Sequence, residues 1–463
     1  MRILIVVSYF HDATTIASQR PRAIARELER LGHDVTVLTA PATTRDSLDP
    51  QSFEVVELRS LGFSALSARG WALLQKTLGS TRGLRAKAGG GEPSDGRSRT
   101  KRRGAEFIRA LRSPSKSNKT RALASLLLHY PEGVSQRRAA RRELESLMEG
   151  RAPYDVVIGS FGPLVALNLA RFARDAGYAR RFVADFRDPM NAHGQFDPLS
   201  RLVLSRVQDR YVRDADLVTA VSVGLRGTLL EGRHAKADPG RVAVVRNGHT
   251  DAVAVDGAMM RRSTDGVLRL GYFGTLARNQ DLSMLFSAMA DLAGRGDEIE
   301  FHYAGRQGHL VSDAAREAGV ADLVHSHGLV SFERSGELQA SMDVLVVSTW
   351  NTKHERGVLT GKLPEYLGRG RPLVALVAGD TPGAEITQVV EGLGVGISCE
   401  YARGPREERR LTGFLARAAA AVKSGEPLLP VPDYAGIAEF AYPNIVANLS
   451  DLLRALPERA RRA

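Results

Sequence analysis

The feature that most constrains this chain is an alternation, run through twice, of short apolar runs with segments of helical period. Ile3 to Val7 is a continuous apolar run, as expected of a strand buried on both faces of a parallel sheet. Ile24, Leu28 and Leu31 then fall on one helix face, Gly32 closes that helix, and Val35 to Leu38 is the next strand. The unit is βαβ, and it recurs. Asp155 to Ile158, Phe182 to Phe186, Leu217 to Val221 and Val242 to Val245 read as further strands, with a turn at Asn247-Gly248. Periodicity lapses from His249 to Gly266, a linker. A second series follows at Leu268 to Phe273, Ile299 to Tyr303, Val344 to Val347 and Leu373 to Val377, with a short extra strand near Leu323 to His325. This pattern predicts an α/β chain of two Rossmann-like, doubly wound parallel-sheet domains facing a cleft. The expected boundaries are 1–248, the linker 249–266, 267–430, and a C-terminal helical segment 431–463 whose helix spans roughly Ile437 to Leu456 after the Pro-rich stretch Pro427 to Pro432. A length of 463 residues supports two cores of that size.

Charge and cysteine usage narrow the function classes. The single cysteine, Cys399, excludes an intrachain disulfide and any Cys-based metal cluster, and fits a reducing compartment. No apolar run reaches the ~18 residues of a membrane span, and the N-terminus lacks a cleavage pattern, so the protein reads as cytoplasmic and unprocessed. Ten of the twelve net positive charges lie between Gly79 and Arg121, where thirteen lysines and arginines face three acids among Gly, Ser, Thr and Pro. Such a stretch cannot bury enough surface to order itself, so a solvated loop is one reading. Attraction to an anionic membrane surface, the inner leaflet in particular, is the other. Nucleic acid is not expected, because Phe107 is the stretch's one aromatic and single-strand binders stack bases on several.

Several motifs fail their context. Gly392-x-Gly394-x-Gly396 and Gly368-x-Gly370 follow helices and precede strands, the reverse of a dinucleotide fingerprint. Asp214-Ala215-Asp216 lies where a helix gives way to a strand and reads as capping. The eleven histidines show no metal-ligand spacing on a common face, so no metal site and no resident cofactor are expected, and no nucleophile triad is legible.

The informative segment is Gly357 to Leu367. Pro364 fits only a first helical turn, so the helix starts near Gly361 to Leu363, and the free N–H groups from Thr360 to Leu363 open beside the Lys362 ammonium. That combination suits a phosphate or diphosphate. Glu365 stands one turn in, where a carboxylate can accept from a ribose diol; a pair of solvated first-turn residues is the alternative. Leu270 to Leu276 is a strand ending in a tight turn at Gly274, before a helix beginning near Asp281; Gly274 admits a ligand close to the backbone, and Arg278 offsets phosphate charge. Loops at Ala304 to Gly308 and His327 to Val330 end two more strands of the same half.

The ordered set of these landmarks resembles the GT-B glycosyltransferases of the family-four, retaining type. Met1 to Val6, Leu31 to Thr39, Asp155 to Ile158, Ala184 to Pro189, Ala215 to Ser222 and Asn247-Gly248 are similar to that family's first domain, and Gly271 to Leu276 and Gly361 to Pro372 to its donor domain. The resemblance implies transfer of a sugar from a nucleotide-diphosphate sugar, UDP-linked in the simplest case, to an acceptor hydroxyl in glycan, glycolipid or glycosylated-metabolite biosynthesis. It implies that Gly274, Thr275, Arg278, Leu329, Val330, Thr360, Gly361, Lys362 and Glu365 hold the donor. His11, Arg20, Arg187 and Asp188 would then face the acceptor. Asp185 and Lys362 are the candidates for a direct part in the chemistry, with the leaving diphosphate as base. The chain departs from the family where an acid is usual: it has Gly357, with Glu355 two residues out of register. A nucleotide-sugar epimerase or hydrolase on the same fold, and a non-catalytic scaffold, are the alternatives.

Overall fold

The computed structural model describes residues 1–11, 16–41, 52–61, 134–162, 164–192, 198–232, 237–250, 265–277 and 279–457. The expectations for 79–121, and for the linker between 251 and 264, lie outside these residues. The first sheet contains β1 (Arg2–Val6), β2 (Asp34–Thr39), β3 (Glu54–Glu57), β4 (Tyr154–Ser160), β5 (Ala179–Phe186), β6 (Leu217–Ala220) and β7 (Val242–Val244), all parallel, in the order β3-β2-β1-β4-β5-β6-β7. The second contains β8 (Leu268–Phe273), β9 (Ile299–Ala304), β10 (Val324–Ser326), β11 (Val344–Trp350), β12 (Leu373–Ala378) and β13 (Gly396–Glu400), also parallel, in the order β10-β9-β8-β11-β12-β13. The two Rossmann-like sheets are therefore as expected, with β3 and β13 added.

Helices α1 (Ile16–Arg30), α2 (Val134–Met148), α3 (Leu164–Asp175), α4 (Pro198–Asp214) and α5 (Val223–Leu230) belong to the first half. The second half has α6 (Ser283–Gly294), α7 (Gly308–Glu317), α8 (Phe332–Ala340), α9 (Lys362–Arg369), α10 (Glu385–Gly392) and α11 (Arg406–Ser424). Strand periodicity divides the residues between two cores: Leu4 and Val6 pack with α2 and α3, while Ile3, Ile5 and Val7 pack with α1. Both faces are covered, so the strands need apolar residues at every position.

The C-terminal segment departs from expectation in two ways. It is two helices, α12 (Tyr434–Ala438) and α13 (Tyr442–Arg454), because Pro443 stands in the first turn of the second and starts it afresh. Moreover, α13 returns to the first domain: Tyr442, Ile445, Val446, Leu449 and Leu453 are buried against Ile24, Leu28 and Val35. At about 1.5–3 kcal/mol per buried side chain, this helix is part of that domain's core. Where the chain crosses back, His249 N donates to Phe440 O at 2.9 Å and Tyr442 N to His249 O at 3.0 Å, which ties the two crossings together.

Candidate functional site

The strand order of the second sheet reverses between β8 and β11, and the crevice opens there. These strands pair only at Val344–Leu270 and Leu345–Gly271, then splay apart. Side chains satisfy the backbone groups this exposes. Phe273 N donates to Tyr366 Oη at 2.9 Å, and the Gln280 amide donates to Ser348 O. Gln280 Oε1 accepts from Ala277 N at 2.6 Å and from Tyr272 Oη at 3.2 Å, so one glutamine braces the whole turn after β8.

Gly274 has φ +134°, and a Cβ there would meet Lys362 Cε at 2.4 Å and Nζ at 2.8 Å. The glycine therefore makes room for the lysine head. Lys362 is only 7 % exposed, its Nζ lies 5.2 Å above the Tyr272 ring, and it forms no ion pair with a described carboxylate. Burial lowers its pKa, against which the more distant Glu365 charge works upward. Helix α9 begins at Lys362, within the expected range, and its N-cap Gly361 supplies no side-chain cap. Thr360 Oγ1 is buried without a hydrogen-bond partner among the described residues. A buried ammonium, an uncapped helix start and an unsatisfied hydroxyl thus converge on one turn.

The neighbouring loops close on the same place. Gly274 N donates to Ala304 O at 2.7 Å, and Gly305 N to Gly328 O at 2.9 Å. A Cβ on Gly305 would lie 2.2 Å from Gly274 O. Of the expected donor residues, Gly274, Thr360, Gly361 and Lys362 come together here, and Thr275 is exposed at the turn. Leu329 is 69 % exposed and Val330 half-buried, beyond Gly328. Glu365 accepts from Gln339 Nε2 at 2.7 Å, and Gln339 Oε1 in turn accepts from Arg369 at 3.2 Å, so its carboxylate is pre-positioned by α8. Arg278 lies outside the described residues.

On the first domain, Asp185, a candidate for a direct part in the chemistry, sits in a buried network. It is 4 % exposed, and both oxygens are engaged: Oδ1 accepts from Arg20 Nη2 at 2.9 Å and Thr219 at 2.7 Å, Oδ2 from Ser160 at 2.8 Å and Arg20 Nε at 3.4 Å. Burial pushes its carboxyl up, but the Arg20 charge and these donors outweigh that and hold it below the usual carboxylate range. Arg20 also donates to Val245 O and Arg246 O, at 3.0 and 2.6 Å. The pair knots together the ends of β4, β5 and β6 and the chain after β7. His11 Nε2 lies 3.0 Å from Glu57. Arg187 donates to Ala17 O at 2.8 Å. Asp188 is the open acid: it is exposed, yet the concave surroundings first, and Glu355 in addition, raise its carboxyl above the usual range against Arg187.

The domains touch backbone to backbone at Gly224 and Gly357. A Cβ on Gly357, whose φ is +65°, would stand 2.4 Å from Gly224 Cα and 2.7 Å from Glu385 Oε2. Glu385 in turn accepts from Val223 N and Gly224 N, each at 2.9 Å, and so caps α5 from the other domain. Sequence reading missed this contact, because only the fold brings these positions together. Beside it, a cavity of about 960 Å³ lies between α4, α5 and residues Lys353 to Arg356. The missing acid at 357 is thus explained: no side chain fits. Gly357→Glu is expected to lower turnover and the melting temperature rather than improve either, since the left-handed backbone alone costs about 1–3 kcal/mol. A scanning-calorimetry trace and a progress curve check this, and higher activity in the variant would refute it.

The comparisons bear on the fold and the family. The Glycosyl transferase 4-like domain model matches residues 17–248, half of the chain. Sucrose-phosphate synthase from Thermosynechococcus elongatus is 13 % identical, with a TM-score of 0.61 and 98 % of each chain covered. Anabaena HepE in complex with UDP and glucose is 14 % identical, with a TM-score of 0.59, over 98 % of this chain and 100 % of that one. A glycosyltransferase from Rickettsia africae is 11 % identical, with a TM-score of 0.57 and 99 % of each covered. No curated protein sequence matches. Two facing parallel sheets, the crevice at the second sheet's reversal point and the family match over residues 17–248 lead to one conclusion: the chain belongs to the glycosyl transferase 4-like family and is a GT-B glycosyltransferase.

Proposed function

We propose that the enzyme takes its sugar from a nucleoside diphosphate sugar held by the second domain and passes it to an acceptor hydroxyl with retention at the anomeric carbon. The carrying observation is Lys362, a buried cation with no carboxylate partner among the described residues, aimed at the Gly274 turn beside the open start of α9. A diphosphate supplies the missing negative charge. Thr360 Oγ1 offers it a further contact, Glu365 takes the ribose diol, and the backbone from His327 to Val330 meets the base. The UDP and glucose bound by HepE support UDP as the nucleotide. The acceptor enters between the domains, beside Asp188 and Arg187 and toward the cavity lined by α4 and α5. The leaving diphosphate, stabilised by Lys362, draws the acceptor proton, so no protein nucleophile is needed.

The composition of 79–121 supports an acceptor presented at an anionic cytoplasmic membrane face, in glycan or glycolipid synthesis. Among the described residues, no helix is long and apolar enough to cross a membrane.

Calorimetric titration with UDP, GDP and ADP tests the nucleotide. One of them is expected to bind the wild type, and Glu365→Ala to weaken it by about 1.5–3 kcal/mol through lost ribose hydrogen bonds. Unchanged affinity in both Glu365→Ala and Lys362→Ala would place the nucleotide elsewhere. Nuclear magnetic resonance of the product anomer decides retention.

A further inference from the structure

The β10 edge of the second sheet carries a cluster of side chains to which the proposed transfer gives no role. Glu300 and His302 stand two apart on β9 and so point to one face, while Ile299, Phe301 and Tyr303 fill the core on the other. Register pairs His302 with His325 on the edge strand β10, and His327 follows immediately. This corrects the sequence expectation that no histidines share a face with metal-ligand spacing. The correction comes from strand pairing: 302 and 325 are far apart in the chain and adjacent in the sheet.

We propose that Glu300, His302 and His325 bind a divalent first-row transition ion, with Zn²⁺ as the reference, and that His327 orients His302 from behind. The ligand atoms of the three lie within 4.8 Å of one another. His302 Nε2 is 3.2 Å from Glu300 Oε2, and His325 Nε2 is 3.8 Å from Glu300 Oε1. Ligands on a tetrahedral zinc, with bonds of about 2.0–2.1 Å, stand roughly 3.3 Å apart, so small rotations suffice. The other ring nitrogen of His302 is already committed, with Nδ1 3.1 Å from His327 Nε2 and the two rings stacked at 5.4 Å. A second partner of that kind fixes the tautomer and ring plane of a metal-bound histidine. Arg269 lies 3.3 Å from Glu300 Oε2 but is also paired with Asp265 at 2.6 Å, so its charge is already balanced. Two imidazoles and one carboxylate leave a coordination position open to solvent, on a face where His325 is 45 % exposed. The ion would clamp β10 to β9 and steady the loop that begins at His327.

Titration of the intact chain with Zn²⁺ tests this. The wild type is expected to bind one ion at this site, and His325→Ala and Glu300→Gln to weaken it at least tenfold. His327→Ala, acting only through His302, is expected to cost 10–100-fold. Zn²⁺ should raise the melting temperature of the wild type and not of the variants, whose metal-free melting temperatures stay near wild type because these side chains lie outside the core. Zn²⁺ binding by a His302→Ala/His325→Ala chain as tight as by the wild type would overturn the proposal, as would the absence of binding to the wild type.

Discussion

Lys362→Ala is expected to lower kcat/KM for sugar transfer by roughly 10²–10³, the usual loss when a preorganised group facing developing charge is removed from a low-dielectric site. The same variant should not destabilise the free protein. Its ammonium is buried without an ion-pair partner among the described residues, so the fold bears its desolvation, and the alanine chain should melt at the same temperature or higher. A residue needed only for structure would do the opposite. The pH response follows from the depressed pKa. As pH rises through it, the folded protein loses the cation before an ordinary lysine would, so diphosphate affinity should fall in that window. Over the same window the unliganded fold gains stability, because the unfolded chain still holds the proton. Titrations at several pH values, paired with unfolding curves, check both signs. Equal nucleotide affinity in wild type and Lys362→Ala would refute the assignment.

The second large effect concerns stability. Asp185→Ala is expected to cost about 3–5 kcal/mol, because it leaves the Arg20 guanidinium buried and uncompensated among carbonyl groups. Arg20→Ala should cost a similar amount. Arg20→Met with Asp185→Leu should cost less than either single change, which a double-mutant cycle in urea measures. The carboxyl is held below its unfolded range, so the stability it contributes is complete above that range and is lost as pH falls through its folded value. A loss under ~1 kcal/mol in Asp185→Ala would mean that the knot is not structural.

Much of this was legible in the sequence, for identifiable reasons. β1, β8 and β12 are apolar at nearly every position because both faces are covered, and Pro364 fixed the start of α9 within a residue. β13 was missed because its sequence, GISCE, spends its buried positions on polar groups: Glu400 caps α10 through Gly383 N and Ala384 N at 2.7 and 3.0 Å. β3 is only EVVE, too short to show a period. The family resemblance of Ala184 to Pro189 suggested chemistry at Asp185, since a sequence cannot show that four donors saturate a carboxylate. Contacts between distant positions, Gly224 with Gly357 or His302 with His325, carry no local signature at all.

The return of α13 to the first domain sets an order on biosynthesis. Tyr442 to Leu453, which cover Ile24, Leu28 and Val35, leave the ribosome some 400 residues after them. At ~5–20 residues per second, the intervening stretch of about 400 residues takes roughly 20–80 s to make, and for that time the apolar face that α13 covers is without it. The second domain can close on itself in the meantime, while the first waits. A chain stalled near residue 430 should therefore be held by chaperones through the α1 side of its first sheet, and released only once the last helix is free to dock.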